Sequence, residues 1–301
     1  MNKRERIYVS LASPERITSP PELIWIRPPA VGMADWANAG DGPYTFLSLH
    51  KTTGLLYHNS LKDELYTAEY QGFLVDVPPK YFGGDSEGWA VAAKKARLIR
   101  KVDSWGPITA AIFACDCAER ALDAIQDRDT EQGFKRGVFT EERETLALVR
   151  QMAETAKENE TRVRSGPASK YGLLGLLWFL EDEADEAEKS MKEIGAKLEV
   201  LSEGRTRVGA SMYATKAVRE ICYLSLGRMA TKVAKGARDA MSALYYFRGP
   251  VKYRISELKN NPELREQMNA GGKQEWEAEL AWQANQLAEV IGEEEWWTDD
   301  F

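Results

Sequence analysis

The 301-residue chain is poor in the residues that most enzymes lean on: it has two histidines, His50 and His58, and three cysteines. Imidazole is the usual general base near neutral pH and the commonest zinc ligand, so most such mechanisms would have to use His50 or His58. Neither adjoins a nucleophile motif, and no Gly-x-Ser-x-Gly turn occurs; both read as surface residues flanking a hairpin turn at Lys51-Thr-Thr-Gly54. Three thiols are too few for a disulfide framework, which points to a reducing cytoplasm. In Cys115-Asp-Cys117 a single residue separates the thiols. On a helix they diverge, so they read as core residues and not as metal ligands. Phosphate loops and dinucleotide fingerprints are missing as well. No catalytic residue, cofactor or metal is therefore expected, and an enzyme is disfavoured.

Long apolar runs are also lacking. The longest, Tyr171 to Leu180, is about half of a membrane span. The basic start Met1–Arg6 is not followed by the apolar stretch of a secretory leader. A cytoplasmic location without a membrane partner is the expectation.

What is present falls into two halves. Eight of the twelve prolines lie in residues 1–88, which argues against helix there. Ile7–Leu11, Leu23–Ile26, Tyr44–Leu49 and Gly72–Val77 are short, rich in β-branched and aromatic residues, and bounded by Pro and Gly, as strands are. Asp85 or Ser86 would cap a helix starting near Trp89. Beyond it the apolar period becomes helical: Ile108, Ala111, Ile112, Cys115, Ala118, Leu122 and Ile125 form one stripe. Thr140-Glu-Glu-Arg143 starts a second helix, running to about Val163. A long stripe from Val208 to Leu244 suggests a helix kinked near Gly227 or Gly236, and Asn261-Pro262 opens a last one to about Ile291. The fold class is α+β: a small β-rich N-terminal unit (1–88), a mainly α-helical domain (89–291) and an acidic aromatic tail (292–301).

Charge is distributed unevenly. Residues 1–104 carry a net +1, 105–204 a net −8, 205–259 a net +9 and 260–301 a net −9. The basic stripe Lys216, Arg219, Arg228, Lys232, Lys235 and Arg238 lies between two acidic regions, which favours internal neutralisation of neighbouring helices. Without aromatic interleaving or a recognition-helix pattern, nucleic acid is disfavoured as its partner. The acidic run Glu181, Asp182, Glu183, Asp185, Glu186 and Glu188 reads as a solvated helix start. The tail holds Trp296, Trp297, Asp299, Asp300 and Phe301, aromatic anchors among carboxylates suited to a partner with a basic rim. Its Asp-Asp-Phe ending looks like the tails by which single-stranded-DNA-binding proteins of bacteria and phages recruit partners.

Trp105, then Asp116-Cys-Ala-Glu-Arg120 and Leu122, followed by Ala-rich residues 210–243, resemble predicted immunity proteins of bacterial polymorphic toxin systems over about residues 105–245. After Ile125 the chain departs from that pattern, with an insertion around Gly133–Gly137. The resemblance implies an α-helical domain that neutralises a toxin by binding it, with Asp116 and Glu119 as motif residues. Asp116 and Arg120, at i and i+4, could equally pair along the helix. The expected function is thus a non-enzymatic protein-binding factor with the acidic run, the tail, Asp116 and Glu119 as contacts. The alternative is a self-assembling structural protein, phage-encoded in one version, joined through its basic and acidic faces.

Overall fold

Short β-rich segments cannot bury a face alone, and here they close on one another. The computed structural model describes residues 7–12, 33–38, 47–50, 55–56, 63–76, 90–131, 139–158, 181–204, 209–225, 230–245 and 260–291. They divide into two units, Met1–Gly106 with Gln286–Phe301, and Pro107–Asn285.

In the first unit seven strands, β1 (Ile7–Ala12), β2 (Ala37–Asn38), β3 (Leu47–His50), β4 (Asp63–Gln71), β5 (Val75–Asp76), β6 (Ala90–Ala93) and β7 (Lys95–Lys101), form one antiparallel sheet in the order β2-β7-β4-β1-β3-β6-β5. Laid flat, that order would hold β6 and β7 about 19 Å apart. Yet Lys94 alone joins them, which limits the separation to about 7 Å. The sheet must therefore roll up, with β6–β7 a single bent ribbon that turns the corner. The apolar alternation confirms the bend: Val91 and Ala93, then Ala96 and Leu98, enter one core with Ile7, Val9, Ala34 and Tyr66, so the two-residue period breaks across Lys94-Lys95. Opposite the corner, Gly72 has φ +89°, a conformation that favours glycine.

Three expectations change here. The helix foreseen from Trp89 is replaced by β6 and β7, because pairing such as Leu47↔Ala93 and Tyr70↔Ala96 overrides the helix propensity of an Ala- and Lys-rich segment. The boundary consequently moves from residue 88 to Gly106. The turn at Lys51–Gly54 does not make a hairpin of β3 and β4: both flank β1, and Leu55 and Leu56 are helical and buried. Leu23–Ile26 lies outside the described residues.

The second unit is helical: α1 (Pro107–Glu131), α2 (Thr140–Glu158), α3 (Glu181–Gly204), α4 (Gly209–Ser225), α5 (Ala230–Tyr245) and α6 (Pro262–Val290), the last reaching past Asn285. Asn261 accepts the Leu264 N–H at 3.0 Å, an N-cap with Pro262 at the first helical position. Helix α1 packs against α2, α4 and α5 and is buried well beyond the predicted stripe, at Ala110, Phe113, Ala114, Cys117 and Ala121. The long stripe is two helices, α4 and α5, packed side by side. Gly236 makes no kink there. It is the point of close approach, where a Cβ would meet Ala217 Cβ at 3.0 Å.

Candidate functional site

Positions 116 and 119 are one helical turn apart, so their side chains share a face of α1. Arg150, on α2, reaches both: its Nη2 donates to Asp116 Oδ1 at 2.9 Å and to Glu119 Oε2 at 2.5 Å. All three side chains stay partly exposed, Asp116 at 31%, Glu119 at 41% and Arg150 at 36%. Burial raises the Asp116 pKa, Arg150 pulls it back and Glu119 raises it further. Two carboxylates thus share one guanidinium at the surface, an arrangement short of positive charge.

Arg120 does not pair with Asp116 along the helix. Its Nε donates to Glu279 Oε2 at 2.8 Å, and its guanidinium lies 4.5 Å from the Trp282 ring centroid. Glu279 in turn accepts from Gln283 Nε2 at 3.1 Å, which also donates to the Ala234 carbonyl. Arg238 Nη1 donates to Gln283 Oε1 at 2.5 Å and stacks over Trp276 at 5.1 Å. Glu279, Gln283 and Arg238 are all buried, and burial lifts the Glu279 carboxyl above its ordinary 4.5 despite Arg120. The cluster ties α1, α5 and α6 together through charge-assisted bonds.

This places Arg238 inside, a correction to its position on a basic contact stripe. Its neighbours Val233, Ala234 and Ala237 face the core, and its long stem reaches buried acceptors instead of water. The rest of the stripe is divided too. Arg219 pairs with Glu199 and with Glu220, Lys235 pairs with Asp239 at 3.2 Å, and Lys216 lies 6.0 Å from the Tyr213 ring centroid. Lys232 is exposed, and Arg228 lies outside the described residues.

Cys115, Cys117 and Cys222 are free and buried. Burial pushes the Cys115 and Cys222 thiols up to about 12 and the Cys117 thiol well above its ordinary value, leaving too little thiolate for nucleophilic work. His50 stands in β3 opposite Tyr8 and Ala90; His58 is outside the described residues. Among the described residues no group of three His, Cys, Asp or Glu could hold a metal ion, and no helix is long and apolar enough to cross a membrane. The acidic run Glu181, Asp182, Asp185 and Glu186 does open α3. Trp296, Trp297, Asp299, Asp300 and Phe301 lie outside the described residues.

The residues that complete the site, Arg150, Glu279, Gln283, Trp276 and Trp282, carried no sequence signal. They meet α1 and α5 from as far as 159 positions away, beyond any local spacing rule. No family model, curated protein or solved structure matches this chain.

Proposed function

We propose that the chain is a non-enzymatic protein-binding factor, and that its helical unit neutralises a basic partner, as the likeness to toxin-immunity proteins implies. The observation that carries this reading is the shared use of Arg150 by Asp116 and Glu119 at a half-exposed position. The carboxylates are held in place in advance, so a partner cation reaching them loses little to reorganisation. Opposite charge across such an interface steers encounter and suppresses wrong partners.

Bacterial growth provides the test. Toxin domains encoded beside the chain's gene would be expressed with the wild type or with Asp116→Lys/Glu119→Lys. Rescue by the wild type, lost in a double variant that still melts cooperatively, is expected. Absence of rescue from every such toxin, or rescue by the variant, would overturn the proposal. The self-assembly alternative requires available cations, and it is weakened by the pairing of Arg219 with Glu199 and Glu220 and by the burial of Arg238. A strict monomer across salt and concentration in sedimentation would remove it.

A further inference from the structure

Residues 94–101 contain five cations, Lys94, Lys95, Arg97, Arg100 and Lys101, and no carboxylate, in a chain of net charge −7. Ala96 and Leu98 of β7 enter the core, so Lys95 and Arg97 point to the other face of the strand. The register then passes from Ala68↔Leu98 to Thr67↔Arg100. That bulge at Ile99 brings Arg100 onto the outward face as well. Three cations therefore follow one another along one strand, about 6.6 Å or more apart. Beside them sits Trp36, with Arg97 Cζ 4.6 Å and Lys95 Nζ 5.2 Å from its ring centroid. Glu69, opposite Arg97 in the register, holds that guanidinium at 2.7 Å and fixes its plane. Strand β2 pairs with Lys95 and Ala96 of β7, and the Ala34 N–H before it donates to the Leu98 carbonyl at 3.0 Å.

We propose that the β7 edge of this face, whose inner part at Tyr8 and Leu65 is buried, binds single-stranded nucleic acid, with phosphates along Lys95, Arg97 and Arg100 and a base against the Trp36–Arg97 stack. A single file of cations fits one phosphodiester backbone, and an indole beside them offers the sequence-tolerant stacking that single strands use. An acidic protein would engage the cations and leave the indole idle. The helical stripe for which nucleic acid was disfavoured is a different place in the chain. The strand cations escape notice in sequence because carboxylates elsewhere in residues 1–104 bring that region to a net +1.

Fluorescence anisotropy of a labelled oligothymidylate of about 20 nucleotides, titrated with the full chain, tests the assignment. Binding at 50 mM NaCl should weaken about 20-fold by 200 mM if three phosphates are neutralised. Lys95→Glu/Arg100→Glu should cost at least tenfold in affinity. Trp36→Ala should cost at least about fivefold, and Trp36→Phe should stay near wild type. Lys273→Glu, on the helical unit, should change nothing, and thermal melts establish that each variant is folded. Absence of binding at 50 mM NaCl, or binding unchanged by the double charge reversal, overturns the proposal. So does wild-type binding by Trp36→Ala with polyglutamate competing as well as the oligonucleotide, which would make the face a surface for acidic proteins.

Discussion

Arg238 and Arg97 both stack on a tryptophan, at 5.1 and 4.6 Å from the ring centroids, yet one is wholly buried and the other is 25% exposed on a strand face. The difference comes from the two kinds of core. In the helical unit the contacts are made largely by small residues, such as Ala110, Ala114, Ala118, Ala217 and Ala237. Backbones approach closely there, and a long side chain at the margin can reach across to Gln283 on another helix. The rolled sheet builds its core from alternate residues of β1, β4, β6 and β7, Ile7, Val9, Tyr66 and Leu98 among them. Arg97 alternates with the core residues Ala96 and Leu98 and so stays on the other face. Arg238 thus serves cohesion between buried helices, whereas Arg97 pairs with Glu69 on a partly exposed strand face.

The largest expected effect sharpens that contrast by giving the helical unit its own reporter. All three cysteines lie in Pro107–Asn285, and a thiol raised from 9.0 to about 12 has roughly a thousandfold less thiolate at any pH below 9. Labelling with a thiol reagent at pH 8 should therefore be negligible in the folded protein and complete in denaturant. Prompt labelling of native protein would show that the helical core is open.

Next come the two arginines themselves. Arg238→Met should destabilise the helical unit by about 3 kcal/mol, because it leaves the buried Glu279–Gln283 pair without its second cation. Arg97→Met, which breaks a partly exposed pair with Glu69, should cost about 0.5 kcal/mol or less. Urea unfolding of both variants checks the ratio, and equal costs would break the comparison.

The smallest effect is a pH slope. Glu279 has its pKa raised by burial, so between its unfolded and folded values the native state binds the extra proton. Its contribution to stability is then greatest at low pH and is lost as pH rises through the folded pKa. Relative to Glu279→Gln, the wild type should gain thermal stability as pH falls from 7 to 5. A difference in melting temperature that does not change with pH would contradict this.

The helices were legible where their caps and apolar period were strong. Asn261-Pro262 marked the start of α6 and Thr140 that of α2, as observed. The acidic run was correctly placed at a helix start, at Glu181. The strands were legible where β-branched and aromatic residues cluster, as in Ile7–Ala12, and in part at Leu47–His50 and Val75–Asp76. Asp63–Gln71 escaped notice because a strand with one outward face can carry as many polar residues as a loop. Ala90–Lys101 was misjudged because its composition favours helix.

Sequence by itself determined the α+β class, the burial of the cysteines on an apolar helix face, and the charge blocks. Each follows from local periodicity or composition, which survive without knowledge of partners. Only the tertiary structure decided that Arg150 joins Asp116 to Glu119, that Arg238 turns inward, and that one lysine, Lys94, bends the sheet onto itself. Those outcomes depend on which distant segments pack together, and the desolvation of a charge is set by its surroundings and not by its neighbours in the chain.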